Sequence, residues 1–287
     1  MNEEENKMTT IALFGAGGNM GVRVVRALKD DPEYRLACVE PGEAGKARLR
    51  EFGLTPVTKE EAVKAAGVVI LAVPDLYVGK IAVEVVPLLN PGTMVITLDP
   101  AGAHAGKLPL RPELSYFVTH PAHPPVFNDE TTMEAKRDFF GSGQAKQAIV
   151  CALMQGPEAD YARGEALAGK IFGPILRAHR VTVEQMAILE PALSETLCAT
   201  CLTVVREGLD EAIRRGVPPQ AARDFLLGHI NIELAILFNE IDWQFSAGAK
   251  KAIEEAKKVI FQPDWKRVFQ PENIRQSVLS ITGGKAA

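Results

Sequence analysis

The sequence lacks a concentration of positive charge. It carries 32 Lys and Arg residues against 36 Asp and Glu residues, a net charge of −4 at pH 7, with no dense basic run. Nucleic acids and anionic membranes attract clustered cations, so neither is an expected partner. The chain starts with an acidic, polar stretch that lacks the basic and apolar parts of a signal peptide, and no apolar run of membrane-spanning length stands out. We therefore expect a cytoplasmic protein.

Cysteine is also scarce, with four in 287 residues. Cys38 and Cys151 fall in apolar, strand-like runs and are expected to be small core residues. Cys198 and Cys201 form a single C-x-x-C inside a long helical pattern. A zinc ribbon needs a second such pair, and a redox motif belongs at the start of a helix. The cysteines therefore predict neither kind of site, and they fit a reducing compartment.

The most informative stretch that is present is Thr10–Gly21. Thr10–Phe14 is an apolar run typical of a buried strand, and Val22, Val25 and Leu28 recur afterwards at helical spacing. A glycine turn between a strand and a helix lets the backbone approach a pyrophosphate, whose charge the N–H groups and the positive helix end then stabilise. The predicted cofactor-binding residues of this turn are Gly15, Gly17, Gly18, Asn19, Met20 and Gly21.

Glu40 supports the same interpretation. It ends the predicted strand Arg35–Glu40, about 20 residues beyond the turn, where an acidic residue receives the ribose hydroxyls of a dinucleotide. Its charge repels a 2′-phosphate, and Pro41 has no N–H that could bind one, so NAD is predicted over NADP. Lys46 and Arg48 follow nearby and leave NADP as the alternative.

Strand patterns alternate with helical patterns through residues 1–155, which predicts an α/β fold with a doubly wound parallel sheet of the Rossmann type. From residue 156 to residue 287 we predict an all-helical domain for substrate binding and dimerisation. Its longest segment, Val183–Arg215, is apolar on more than one face, which favours a homodimer. The predicted strands are Thr10–Phe14, Arg35–Glu40, Val68–Val73, Met94–Leu98, Tyr116–Thr119 and Gln147–Leu153, and the predicted C-terminal helices are Glu158–Leu176, Val183–Arg215, Pro219–Ile241, Ala247–Ile260 and Pro271–Ser280.

Several polar residues follow directly on predicted strands. Ligands of doubly wound sheets bind beyond the carboxyl ends of the strands. Glu40, Pro74, Asp75, Asp99 and His120 are therefore expected around one crevice. We assign Pro74 and Asp75 to cofactor binding, and Asp75 is also a candidate for proton transfer.

The loop Thr119–Glu130 is unusually rich in histidine and proline. His120 and His123 stand in it beside three prolines that stiffen the backbone. Each histidine is a candidate proton carrier or metal ligand, because imidazole does both near neutral pH. A purely structural hydrogen bond remains the alternative for each.

Glu190 is a carboxylate inside an apolar helical segment, directly before Pro191. Carboxylates are rarely buried without a partner, and proline removes a backbone hydrogen bond and bends a helix. This combination marks Glu190 as a candidate site residue. A buried ion pair with an arginine remains the alternative.

These motifs resemble the D-apionate oxidoisomerase family, whose C-terminal part is of the phosphogluconate dehydrogenase type. The likeness lies in the turn GAGGNMG, the loop HPAHPPVFNDE and the helical segment ILEPALSET. The resemblance implies a 6-phosphogluconate-dehydrogenase-like fold, NAD, and a divalent metal, with zinc favoured, on His120 and Glu190. It also implies an oxidoreductase that oxidises a sugar acid and migrates its carboxylate-bearing group during carbohydrate catabolism. His123 or Asp75 would move the hydroxyl proton.

Two other functions remain open. One is a simple NAD-dependent 3-hydroxyacid dehydrogenase without migration or metal, although the N-x-x-x-K pairing usual in those enzymes is absent from Val183–Arg215. The other is a non-catalytic NAD(H)-sensing protein, in which the histidine loop and Glu190 would be structural.

Overall fold

The computed structural model describes residues 8–283 as seven strands and twelve α-helices. The strands are β1 (Thr9–Phe14), β2 (Tyr34–Val39), β3 (Val68–Leu71), β4 (Met94–Thr97), β5 (Ser115–Pro121), β6 (Gln147–Gln155) and β7 (Ile175–Arg180). The helices are α1 (Asn19–Leu28), α2 (Glu43–Glu51), α3 (Lys59–Lys64), α4 (Asp75–Val85), α5 (Ala101–His104), α6 (Met133–Lys136), α7 (Ala159–Phe172), α8 (Val183–Ala187), α9 (Thr200–Arg214), α10 (Pro219–Leu237), α11 (Ala247–Ile260) and α12 (Pro271–Ile281).

All seven strands form one sheet in the order β2-β1-β3-β4-β5-β6-β7. β1 to β5 pair in parallel, and β1 lies between β2 and β3. The strand order therefore reverses between β1 and β3, since β2 is added on one side of β1 and β3 on the other. This junction is the switch point at which doubly wound sheets bind their ligands. The predicted Rossmann fold with a helical C-terminal part is confirmed.

β6 departs from the predicted parallel arrangement, because it pairs antiparallel with β5. The chain between Pro121 and Gln147 contains only the four-residue helix α6. A parallel neighbour needs a long crossover, whereas a connection that starts and ends at one edge of the sheet returns antiparallel. The sheet is therefore mostly parallel.

β7 lies partly where a helix Glu158–Leu176 was predicted, and that prediction was wrong at its C-terminal end. The helix ends at Phe172, before Gly173 and Pro174, and Ile175–Arg180 then pairs in parallel with β6. β7 is an edge strand with mostly exposed side chains, so it lacks the apolar pattern of the central strands. The Gly-Pro pair was the available signal for the end of the helix.

The described chain forms two compact units. One contains the residues up to Glu190 and those from Arg275 onward, and the other is Pro191–Ile274. The predicted boundary after residue 155 therefore falls inside the first unit. The physical reason is that α7 packs on β5 and β6, β7 extends the sheet, and α8 packs on β6.

The predicted helix Val183–Arg215 is helical from Val183 to Arg214, but Ile188–Ala199 within it is π-helical. Pro191 lies in the π-helical part, where the predicted disruption of the helix occurs. By length and composition alone, Val183–Arg214 is apolar enough to cross a membrane, with 11% of its most apolar window buried. The expectation that the sequence has no stretch of this kind was therefore wrong.

Candidate functional site

The glycine turn joins β1 to α1 at the switch point of the sheet. Gly15 has a left-handed backbone with φ +73°, and a Cβ there would lie under 3.0 Å from the carbonyl oxygen of Ala72. A Cβ on Gly21 would also lie under 3.0 Å from the carbonyl oxygen of Gly15. Both positions therefore require glycine for steric reasons. The turn brings the chain to α1, whose first N–H groups have no partner within the helix.

A cavity of about 690 Å³ opens beside this turn. Among the predicted cofactor residues, Gly15, Gly17, Gly18, Glu40 and Pro74 line it. Asn19, Met20 and Gly21 form the first turn of α1, and Asp75 begins α4. The cavity, a helix N-terminus and an acidic residue at the end of β2 form the arrangement that a dinucleotide requires.

His120 lies near the end of β5, where its side chain is partly buried. Its Nδ1 lies 2.8 Å from the carbonyl oxygen of Leu98. A carbonyl only accepts, so Nδ1 carries the hydrogen and Nε2 keeps its lone pair. Nε2 lies 3.7 Å from Oε2 of Glu190.

Asp99 completes a group that we call the carboxylate–histidine cluster: Asp99, His120 and Glu190. One ligand atom from each residue lies within 4.8 Å of the others. Asp99 Oδ2 lies 3.7 Å from Nδ1 of His120, and its Oδ1 accepts a 2.7 Å hydrogen bond from the N–H of Ala101. The β4–β5 register pairs Thr97 with Val118, so Asp99 and His120 leave neighbouring strands at the same level.

Asp99 was expected at the crevice, without an assigned role. Its position after a buried strand was the available signal, because neighbouring parallel strands end at one edge. Glu190 was expected to lie in a separate helical domain. Instead it is the last residue of the first compact unit, so the structure brings His120 and Glu190 together within that unit.

Glu190 lies in the π-helical segment, where a side-chain hydrogen bond satisfies one of the backbone carbonyl groups. The hydroxyl of Thr196 donates a 2.6 Å hydrogen bond to the carbonyl of Pro191. Burial raises the pKa of the Glu190 carboxyl above its usual range, His120 acts in the opposite direction, and Asp99 raises it further. π-helical turns recur at functional sites, where they redirect a side chain.

His123 lies beside the cluster, with its ring centroid 6.4 Å from that of His120. Its backbone is left-handed, with φ +59°, which is uncommon for a residue with a side chain. Nδ1 lies 3.0 Å from the carbonyl oxygen of Phe140. Both histidines therefore direct Nδ1–H to a backbone carbonyl and leave Nε2 as an acceptor.

The donor atoms of the cluster suit a divalent cation. Nε2 of His120 and Oε2 of Glu190 are both acceptors, and they face each other without a hydrogen between them unless one group is protonated. The carbonyl of Leu98 orients the imidazole in the way that hydrogen-bond acceptors orient metal-bound histidines, through the ring nitrogen that does not bind the metal. Among residues 8–283, no other group of three such side chains lies this close together.

Comparison with known proteins gives three concordant results. Residues 128–282 match the family described as phosphogluconate dehydrogenase (decarboxylating), C-terminal domain. The chain is 58% identical over 274 residues to a D-apionate oxidoisomerase of Cupriavidus necator, covering 95% of this chain and 99% of the relative. It is 55% identical over 276 residues to a D-apionate oxidoisomerase of Rhizobium rhizogenes, covering 96% of this chain and all of the relative.

A solved structure is equally similar. It is a semialdehyde dehydrogenase NAD-binding protein from Cupriavidus necator in complex with calcium and NAD. The TM-score is 0.93 and the identity 56%, over 96% of this chain and 100% of that chain. The family resemblance inferred from the motifs is confirmed.

Proposed function

The chain belongs to the D-apionate oxidoisomerase family, and from this membership we propose that it converts D-apionate and NAD to 3-oxo-isoapionate and NADH. In this reaction the carboxylate-bearing group of the sugar acid migrates and a hydroxyl becomes a ketone. The hydride passes to NAD and the hydroxyl proton to a base. The observation that carries the proposal is the carboxylate–histidine cluster at the strand ends of a sheet whose switch point holds the glycine turn.

The cluster is the proposed metal site, with His120 and Glu190 as ligands and Asp99 as the third. An imidazole nitrogen with carboxylate oxygens suits zinc and manganese, and zinc is our first choice. A divalent ion supplies Lewis-acid stabilisation of alkoxide charge and lowers the pKa of a coordinated hydroxyl. The similar structure from Cupriavidus necator contains calcium, so calcium belongs in any comparison of metals.

His123 is the proposed carrier of the hydroxyl proton. Its Nδ1–H is directed to the carbonyl of Phe140, which leaves Nε2 able to accept a proton beside His120. Asp75, at the start of α4, is the alternative base. The carbonyl of Leu98 holds the His120 ring so that its free nitrogen points to Glu190.

The cavity at the glycine turn is the proposed NAD site. The N–H groups of Asn19, Met20 and Gly21, in the first turn of α1, would hold the pyrophosphate. The carboxylate of Glu40 would accept hydrogen bonds from the ribose hydroxyls, and Pro74 borders the same cavity. The negative charge of Glu40 disfavours a 2′-phosphate, so NADH should bind more tightly than NADPH.

A panel of sugar acids tests the function, with NADH formation followed by absorbance and metal content measured on the same preparation. We expect D-apionate to be the best substrate and activity to require a bound divalent ion. Turnover of simple 3-hydroxyacids by metal-free protein would instead support a 3-hydroxyacid dehydrogenase. NADH binding without turnover of any sugar acid would support an NAD(H)-sensing protein.

A homodimer in the cytoplasm is the proposed form of the protein. In the second compact unit, α9 and α11 have no buried residue, and Leu202, Phe225 and Trp243 are exposed. Exposed apolar surface of this kind marks an interface. A membrane is less suited than a second copy of the chain to bury these helices, because the stretch Val183–Arg214 contains Glu190, Glu195 and other carboxylates. A monomeric mass at micromolar concentration in light scattering would exclude the dimer.

A further inference from the structure

Gly17, in the middle of the glycine turn, is held by three residues of the segment after β2. Its N–H donates a 2.9 Å hydrogen bond to Oε2 of Glu40, and its carbonyl accepts a 3.0 Å hydrogen bond from Nη1 of Arg48. A Cβ at position 17 would lie under 3.0 Å from backbone atoms of Gly45. The glycine turn and the Glu40 end of the cavity therefore form one connected arrangement.

Gly45 lies in the first turn of α2, and glycine is a poor helix former, less favourable than alanine by about 1 kcal/mol in a helix interior. Its backbone is not left-handed, so the helix itself does not require glycine there. A Cβ at this position would, however, lie under 3.0 Å from Cγ and Cδ of Glu40 and 2.8 Å from its Oε1. The position of the Glu40 carboxylate is therefore what requires glycine at residue 45.

In that position the carboxylate is prepared for a diol. Oε2 accepts from Gly17 N–H, and Oε1 accepts from Gly42 N–H at 2.9 Å. A carboxylate oxygen can accept more than one hydrogen bond, so each oxygen keeps capacity for a ribose hydroxyl. The same fixed charge repels a phosphate on the 2′ position.

The other charged side chains around the cavity would favour the opposite cofactor. Arg48, Lys59 and Lys80 line it together with Glu40 and Glu84. Glu84 is paired with Lys59 at 2.9 Å. Arg48 and Lys80 have no ion pair within 4.0 Å among residues 8–283. If Glu40 moved away, this wall would be cationic and would suit a 2′-phosphate.

We propose that Gly45 is a specificity-determining residue that selects NAD by leaving room for the Glu40 carboxylate against Gly17. The proposal rests on NAD being the cofactor of the proposed reaction. It does not depend on the sugar acid, because cofactor binding is measurable without substrate. Gly45 acts through Glu40 and is a positioning residue.

The test is the ratio of NADPH to NADH dissociation constants, measured by fluorescence titration of wild type, Gly45→Ala, Glu40→Gln and the double variant. Gly45→Ala should weaken NADH binding at least about tenfold while NADPH binding stays equal or tightens. Gly42→Ala is the matched control, because a Cβ there would approach only Oε1 of Glu40, at 3.2 Å. It should change the ratio less than about threefold.

The double variant decides whether Gly45 acts through Glu40. Adding Gly45→Ala to Glu40→Gln should change the ratio much less than in wild type, because the charge to be displaced is already gone. An unchanged ratio in Gly45→Ala, or an equal change in both backgrounds, would overturn the proposal. If Gly45→Ala does not fold, Glu40→Gln still tests it, since retained NAD preference there would refute it. Absence of sugar-acid turnover by the wild-type protein, together with the expected ratio of dissociation constants, would count against the proposed reaction alone.

Discussion

The two compact units differ in where their apolar side chains lie. In the first unit every residue of β3 and β4 is buried, and Leu13 and Ile70 have no exposed surface. In the second unit α10 buries only Ala222, and Leu202 and Phe225 are 55% and 69% exposed. Burying a large apolar side chain contributes about 1.5–3 kcal/mol. The first unit therefore completes its core within one chain, whereas the second leaves comparable side chains exposed.

The two units differ in the same way in their candidate site residues. The glycine turn and the carboxylate–histidine cluster both lie in the first unit, where buried strands position polar residues at their ends. The second unit supplies apolar helix surface instead. We therefore expect substitutions in the first unit to affect chemistry and folding, and substitutions in the second unit to affect assembly.

The largest effect is expected at the cluster. His120→Ala and Glu190→Gln should each reduce turnover below detection, because each removes a proposed metal ligand, while NADH affinity stays within about twofold. Metal content should fall with activity. His179→Ala, on exposed β7, is the control and should remain active. A general base would behave differently, with activity falling by about 10²–10⁴ and metal unaffected. Full activity in metal-free protein would contradict the metal site.

The next effect is on folding of the first unit. Leu13→Ala should lower the free energy of unfolding by about 2–5 kcal/mol, because it leaves a cavity in a fully packed strand. Chemical denaturation followed by circular dichroism measures it. Leu76→Ala, 55% exposed in the same unit, should change the value by less than about 0.5 kcal/mol. If Leu13→Ala and Leu76→Ala lowered the free energy of unfolding equally, burial within one chain would not be what stabilises this unit.

The second unit is tested by a charge on its apolar surface. Leu202→Asp should weaken self-association at least about 100-fold, since a symmetric interface contains the substitution twice. Sedimentation velocity across a dilution series gives the dissociation constant. Arg206→Gln, exposed on the same helix, should leave it nearly unchanged. If Leu202→Asp had the dissociation constant of wild type, the interface would not include this part of α9.

The smallest effect is expected at Asp99. Asp99→Asn keeps an oxygen that can accept from Ala101 N–H but removes a charge from the cluster. Metal affinity and turnover should fall by about 10–100-fold, less than for His120 or Glu190. Metal titration and steady-state rates measure both, and NADH binding should not change. Wild-type metal affinity would remove Asp99 from the ligand set.

Local patterns predicted the elements that carry their own signal. The apolar run before Gly15, the glycine turn and the helical spacing after it lie within one segment, and the structure has a strand, a turn and a helix there. β7 shows the limit of that reasoning. Ile175–Arg180 has no buried face, and it is a strand only because β6 offers an open edge.

The sequence by itself determined the Rossmann pattern, the acidic residue after β2 and the candidate histidines, because turns, caps and strand periodicity depend on neighbouring residues. Only the tertiary structure decided that Asp99, His120 and Glu190 meet. Their distances depend on the β4–β5 register and on the packing of α8 against β6, which places the start of the π-helical segment near β5. Strand order and helix packing depend on residues far apart in the chain, and no single segment contains that information.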